Sequence, residues 1–208
     1  MIEFATILPL FLVAVLLGSD YAWYVVTRQQ VASVARMTAD NASRIGEDDP
    51  ADIKKASEAA IIDLLQGGIE QGGSLDMAQR GRIILSSYER WDGARLVIKW
   101  QRCAGALAYD SSQGHEGDVR PQGMGVTGVK PPPLPPPIGG SASQPGSQPP
   151  PDAALMFVEV AYEYRPLFGH FWNAGNRIVE MAAFRTREKR DLTQVYNSEG
   201  VAPATCAT

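Results

Sequence analysis

The chain has 208 residues, room for one ordinary domain with an appendage, and a formal net charge of −4. That balance excludes a strongly basic nucleic-acid binder, and a hydrophobic content of 45% excludes a many-span membrane protein. Only two cysteines and two histidines are present, which excludes a disulfide-dense mini-protein and argues against a His-rich metal centre.

The first element is apolar. Phe4 to Val26 holds a single charge, Asp20, and as a helix it would rise roughly 34 Å, enough for a bilayer core. Tyr21, Trp23 and Tyr24 cluster at its far end, where amphipathic rings favour the headgroup layer. No basic n-region precedes the run and no A-x-A-like site follows it, so residues 1–27 are predicted to be a retained span and not a cleaved signal peptide. Asp20 is expected at the interface, where its charge is tolerated. Glu3 has two readings. It is either an interface residue favoured by the positive helix N-terminus or an intramembrane carboxylate awaiting a cation. Arg28, Arg36 and Arg44 follow the span and no basic residue precedes it, which taken alone would put the remainder in the cytoplasm.

The helical pattern continues past the span. Val31, Val34, Thr38, Ala42 and Ile45 recur at spacings of three and four, predicting one long helix to about Ile45 whose lower half packs on a domain. Asp49-Pro50 reads as the start of a second helix. Ile53, Ala56, Ala60, Ile61 and Leu64 would form its apolar face and Gly67-Gly68 its end.

Four strands follow. Arg82–Tyr88 and Arg95–Cys103 flank the turn signal Asp92-Gly93. In the second, Leu96, Ile98 and Trp100 should share one face, with Lys99 and Gln101 on the other. Met156, Val158, Val160, Tyr162 and Tyr164 alternate with Glu159, Ala161 and Glu163, the cleanest strand pattern in the chain. Arg177–Arg187 is the fourth. These predict an antiparallel sheet with one face covered by helices, an α+β fold. Residues 28–110 and 153–208 would build this external domain. Between them, residues 111–152 are expected to be a disordered insert, because Ser111–Pro151 holds 19 Gly or Pro among 41 residues and no aromatic. Its proline runs should adopt polyproline II, and docking into an aromatic groove on a partner is the alternative reading.

Signs of catalysis are absent. His115 lies in the insert and His170 in an aromatic loop, neither beside a partner for acid–base work. No nucleotide, zinc or nucleophile-elbow motif appears, so no enzyme activity, cofactor, metal or small-molecule substrate is expected. Arg185, Arg187, Lys189 and Arg190 form a basic cluster with Glu188 and Asp191 interleaved, which reads as a solvated strand end. Cys103 ends a strand and Cys206 lies near the C-terminus. They are expected to form a disulfide pinning the tail to the sheet, which requires an oxidising compartment outside the cytoplasm.

The N-terminal residues carry a family resemblance. Glu3-Phe4-Ala5, Ile7-Leu8-Pro9-Leu10, Gly18, Arg28-Gln29 and Ala35-Arg36 resemble the TadE-like family, pilin-like components of the tight-adherence pilus and secretion system. The resemblance covers roughly the first 45 residues. Trp100-Gln101-Arg102-Cys103, Tyr162–Phe168 and the Cys206 tail are similar to one branch, more weakly. It implies a pilin-like fold and a structural role as a minor pilin or pseudopilin. The implied partners are other pilins and inner-membrane assembly proteins, with the bilayer and without nucleic acid. The implied location is a single-pass bacterial inner-membrane protein with a periplasmic domain. Glu3, Phe4 and Pro9 would serve subunit assembly: Glu3 would face an amine or other cation of a neighbouring subunit, and Pro9 would shape the helix. Family members carry a basic leader ending in Gly before this stretch. Met1 lies two residues before Glu3, so the expectation is an upstream start or a trimmed chain. A signal-anchored periplasmic binding module with no fibre role is the rival reading.

Overall fold

A computed structural model describes residues 2–46, 53–90, 95–121, 154–168 and 177–206. Helix α1 (Ile2–Arg44) runs unbroken for 43 residues, about 64 Å, with Pro9 inside it. Its two halves differ in surroundings. The side chains of Phe4 and of residues 6–19 are exposed almost throughout, whereas Val31, Val34, Ala35, Thr38, Ala39 and Ala42 are buried against the domain. The predicted stripe therefore is the seat of the helix. Small side chains at Ala35, Ala39 and Ala42 let its backbone come close to the sheet.

The domain is α+β, as predicted. Strands β1 (Gly81–Arg90), β2 (Arg95–Ala104), β3 (Val119–Pro121), β4 (Leu155–Glu163) and β5 (Arg177–Arg185) form one antiparallel sheet in the order β3-β2-β1-β4-β5. Helix α2 (Glu58–Gln71) packs beside α1 on the same face, and a short helix α3 (Met77–Arg80) leads into β1. Ile83, Leu85, Trp100, Met156, Val158, Val160, Ile178 and Ala182 line that face and meet the α1 stripe with Ile61 and Leu65 of α2.

Several expectations are corrected. The second helix starts later, at Glu58, where the Ser57 side chain accepts a hydrogen bond from the Ala60 amide. Ile53 is exposed and outside the helix. Asp49-Pro50 lies outside the described residues. Gly67-Gly68 does not end the helix, which runs on to Gln71. A Cβ at Gly68 would sit 2.8 Å from Thr38 Oγ1 and 2.9 Å from Ile83 Cδ1, so at this glycine α2 comes close to both α1 and β1.

The strands are where they were expected, but the pattern in β2 is broken. A register shift between Ser87 and Tyr88 pairs Ser87 with Trp100 and Tyr88 with Ile98. Lys99 is thus the extra residue, and Ile98 turns to the opposite face from Trp100. The Asp92-Gly93 turn itself lies outside the described residues.

The outer face of the sheet is also covered, contrary to the one-faced sheet predicted. Tyr88, Ile98, Phe157 and Ala183 form a second apolar cluster there. Next to it, the predicted insert begins with ordered chain. Residues 105–118 fold over the outer face and lead into β3, which pairs Val119 with Val97. The remainder of the insert, from 122 onward, lies outside the described residues, as does His170.

Candidate assembly site: the α1 helix and its seat on the domain

The surface that could face a membrane is the first half of α1. Among the described residues this is the one helix long and apolar enough to cross a membrane. Phe4 is 70% exposed, and Ile7, Leu10, Phe11, Leu12 and Val13 are exposed with it. These side chains have no core to join, so lipid or neighbouring helices are their natural surroundings. Glu3 lies in the first turn of α1, and its side chain is outside the described residues. Pro9 is accommodated without a break in the helix.

The domain takes hold of α1 at Asp20, earlier than the predicted boundary at residue 27. Asp20 is only 7% exposed. Its carboxylate accepts the Leu167 amide at 2.6 Å, and its carbonyl accepts the Tyr164 hydroxyl at 3.3 Å. One turn on, the Tyr24 and Tyr164 rings meet edge to face with centroids 5.2 Å apart. Two turns beyond Asp20, Arg28 donates to Glu180 of β5 at 2.6 Å, which holds the guanidinium above its usual pKa.

The C-terminal end of α1 is held as firmly. Arg190 is buried, and its Nη2 donates to the carbonyls of Ala42, at 3.1 Å, and Ile45. Those carbonyls have no partner within the helix, so a buried cation there satisfies both the orphan acceptors and the helix dipole. Burial lowers the Arg190 pKa to about 10. Arg187 donates to Asp40 at 2.7 Å, and its amide donates to the Ser43 carbonyl at 3.3 Å. The basic cluster predicted to be a solvated strand end is therefore in part a clasp on α1.

Cys103 and Cys206 form a disulfide with Cα atoms 5.0 Å apart. The tail that reaches it is a strap. Lys54 brackets Arg190, its amide donating to the Lys189 carbonyl at 3.0 Å and its carbonyl accepting the Asp191 amide at 2.9 Å; the Glu58 amide donates to the Tyr196 carbonyl at 2.8 Å, and the Cys103 amide donates to the Ala204 carbonyl at 2.8 Å. Under the strap lies a buried ion pair. Arg102 grips Glu58 through Nε, at 2.9 and 3.2 Å, and through Nη2, while Nη1 reaches Glu116 at 3.1 Å. The Glu58 and Glu116 carboxylates hold the Arg102 guanidinium above its usual pKa. Glu58 opens α2, where a carboxylate also meets the positive end of the helix.

The buried residue that periodicity most misrepresents is Glu159. It was expected on the alternating polar face of its strand, yet it is 0% exposed. Loop 105–118 supplies its donors: the Ser112 amide at 3.2 Å, the Ser112 hydroxyl at 2.5 Å, the Tyr109 hydroxyl at 3.4 Å and the Ser111 hydroxyl. Burial and the nearby Glu159 carboxylate push the Tyr109 pKa up to about 12. The sequence did carry a signal, because Phe157 and Ala161 flank Glu159 on the same face of β4. His115 sits on this loop 3.5 Å from Asp110, with both side chains exposed. Among the described residues, no group of three or more His, Cys, Asp or Glu is placed to hold a metal ion.

No curated protein and no solved structure matches the chain. Its first 40 residues match the family model described as TadE-like protein. The matched residues are those that form the exposed half of α1 and most of its seat on the sheet.

Proposed function

We propose that this protein is a minor pilin or pseudopilin that takes part in assembling a Tad-type pilus or its secretion apparatus. The observation that carries the reading is the pairing of a TadE-like segment with a divided α1: an exposed apolar half, then a half seated on an α+β domain. Such a helix can associate laterally with others while its domain remains folded outside the bilayer. Glu3 is the proposed polar registration point, since a carboxylate in hydrocarbon is costly until a cation of a neighbour relieves it. Phe4 and Pro9 would shape the same contact. The Cys103–Cys206 disulfide favours an oxidising compartment, and with it a bacterial inner-membrane protein whose domain is periplasmic. The role is structural, without catalysis.

Replacing Glu3 by Ala or Leu tests this. Pilus assembly or subunit cross-linking should fall sharply while membrane insertion and protein level persist. Normal assembly with either variant would overturn the role of Glu3 and favour a simple membrane anchor.

A further inference from the structure

We infer that the loop leaving β4, at Leu167-Phe168, is a second membrane contact: a lipid-interface foot docked on α1 at the depth of Asp20. The inference rests on the reading of α1 as a membrane span, and not on its role in a pilus.

The argument begins with length. Between the carboxylates of Glu3 and Asp20 lie 16 residues, which rise about 24 Å as helix. A bilayer hydrocarbon core is about 30 Å thick. The apolar stretch has no length to spare, so the bilayer must extend to the Asp20 level for the span to be covered. Tyr21 and Trp23, both exposed, lie within a turn of Asp20, where interfacial rings belong.

The loop is fixed to that level by two observed contacts. The Leu167 amide donates to the Asp20 carboxylate at 2.6 Å, and the Tyr164 hydroxyl donates to the Asp20 carbonyl. Leu167 and Phe168 then turn away from the core and are 53% and 48% exposed. Two large apolar side chains held at the hydrocarbon edge have one occupant of matching chemistry beside them, the headgroup–acyl boundary. The same arrangement explains Asp20. A lone carboxylate at this depth is costly, and the loop amide solvates it in place of water. The domain would thus rest on the membrane at two points and have little freedom to tilt.

Spin labels on the full chain test this in vesicles of phosphatidylethanolamine and phosphatidylglycerol. With Cys103 and Cys206 bonded to each other, single cysteines introduced as Phe168→Cys, Leu167→Cys, Gly18→Cys and Lys189→Cys can be labelled one at a time. Gly18 has open space around a new Cβ, and Lys189 is exposed near the far end of α1. Labels at 167 and 168 should collide several-fold less with a water-soluble nickel chelate, and more with oxygen, than the label at 189. Position 18 should report hydrocarbon. If 167 and 168 match 189 while 18 reports hydrocarbon, the foot is overturned and the span stands. If 18 is also aqueous, the span fails and the foot fails with it. The same comparison in vesicles holding only this protein excludes a partner subunit as the occupant.

Discussion

Two buried charges decide how this domain responds to substitution and to pH. Arg190 closes α1 by donating to two carbonyls that otherwise lack partners. Arg190→Met keeps much of the side-chain volume but removes every donor. It should lower unfolding free energy by about 2–3 kcal/mol, read by urea denaturation of the full chain in detergent. Glu89 acts in the opposite sense. Burial raises its pKa from 4.5 to about 7, against the opposing pull of Lys99, the Ser87 hydroxyl and Arg190. Below pH 4.5 the carboxyl is neutral in both folded and unfolded chains. Between 4.5 and 7 the unfolded chain ionises first, so stability falls as pH rises, and above 7 the penalty is constant. Glu89→Gln removes that penalty. At pH 8 the variant should be more stable than the parent by about 1–3 kcal/mol, and at pH 4.5 the two should converge. An equal difference at both pH values would show that Glu89 is not the titrating group.

At the scale of elements, close approach matters more than composition. Gly67 and Gly68 are adjacent in α2, yet a Cβ at Gly67 meets nothing within 4 Å, while one at Gly68 meets Thr38 and Ile83. Gly67→Ala should therefore stabilise the protein by up to about 1 kcal/mol through helix propensity. Gly68→Ala should cost about 1–3 kcal/mol because α2 must move off α1 and β1. Melting temperatures of the two variants shifting in the same direction would contradict this packing. The pair also shows what a sequence can reveal. Adjacent glycines read as a helix end, because their spacing to Thr38 and Ile83 exists only after folding. The long helix, its buried stripe and four strands were legible because each repeats a period of 3.6 or 2 over several turns or residues. The extra residue at Lys99 was not, since a bulge leaves the alternation intact on paper and reverses it in space. Loop 105–118 was hidden for a related reason: its serines and glycines look like linker, and their partner Glu159 lies more than 40 positions away.

At the scale of the whole molecule, the N-terminal helix and the C-terminal tail are fastened to the same sheet from opposite ends of the sequence. The candidate assembly site was legible as an apolar helix and a motif, and the stripe of its seat as a period, while the polar contacts that clasp it were not, because Asp20, Arg187 and Arg190 acquire their roles from partners about 145 residues distant. The strap from Arg190 to Cys206 crosses the start of α2 and reaches β2, where the disulfide closes a separation of 103 residues. In the chain-entropy model a loop of that size adds up to about 4.7 kcal/mol, and measured values are commonly about 2–4. Removing it should therefore weaken the fold without dissolving the sheet, because the α1 seat does not depend on it. Alkylation should label neither cysteine until reductant is added, giving a mass shift of two adducts. Cys206→Ser should then lower unfolding free energy by about 2–4 kcal/mol. Amide exchange should separate the strap from the seat: protection at Cys103 and Tyr196, whose amides join the strap to β2 and to the Ala56 carbonyl, should fall first, while protection along β1 and β4 persists. Equal loss of protection in strap and sheet would mean that the tail is part of one cooperative unit with the α1 seat and not a strap laid over it.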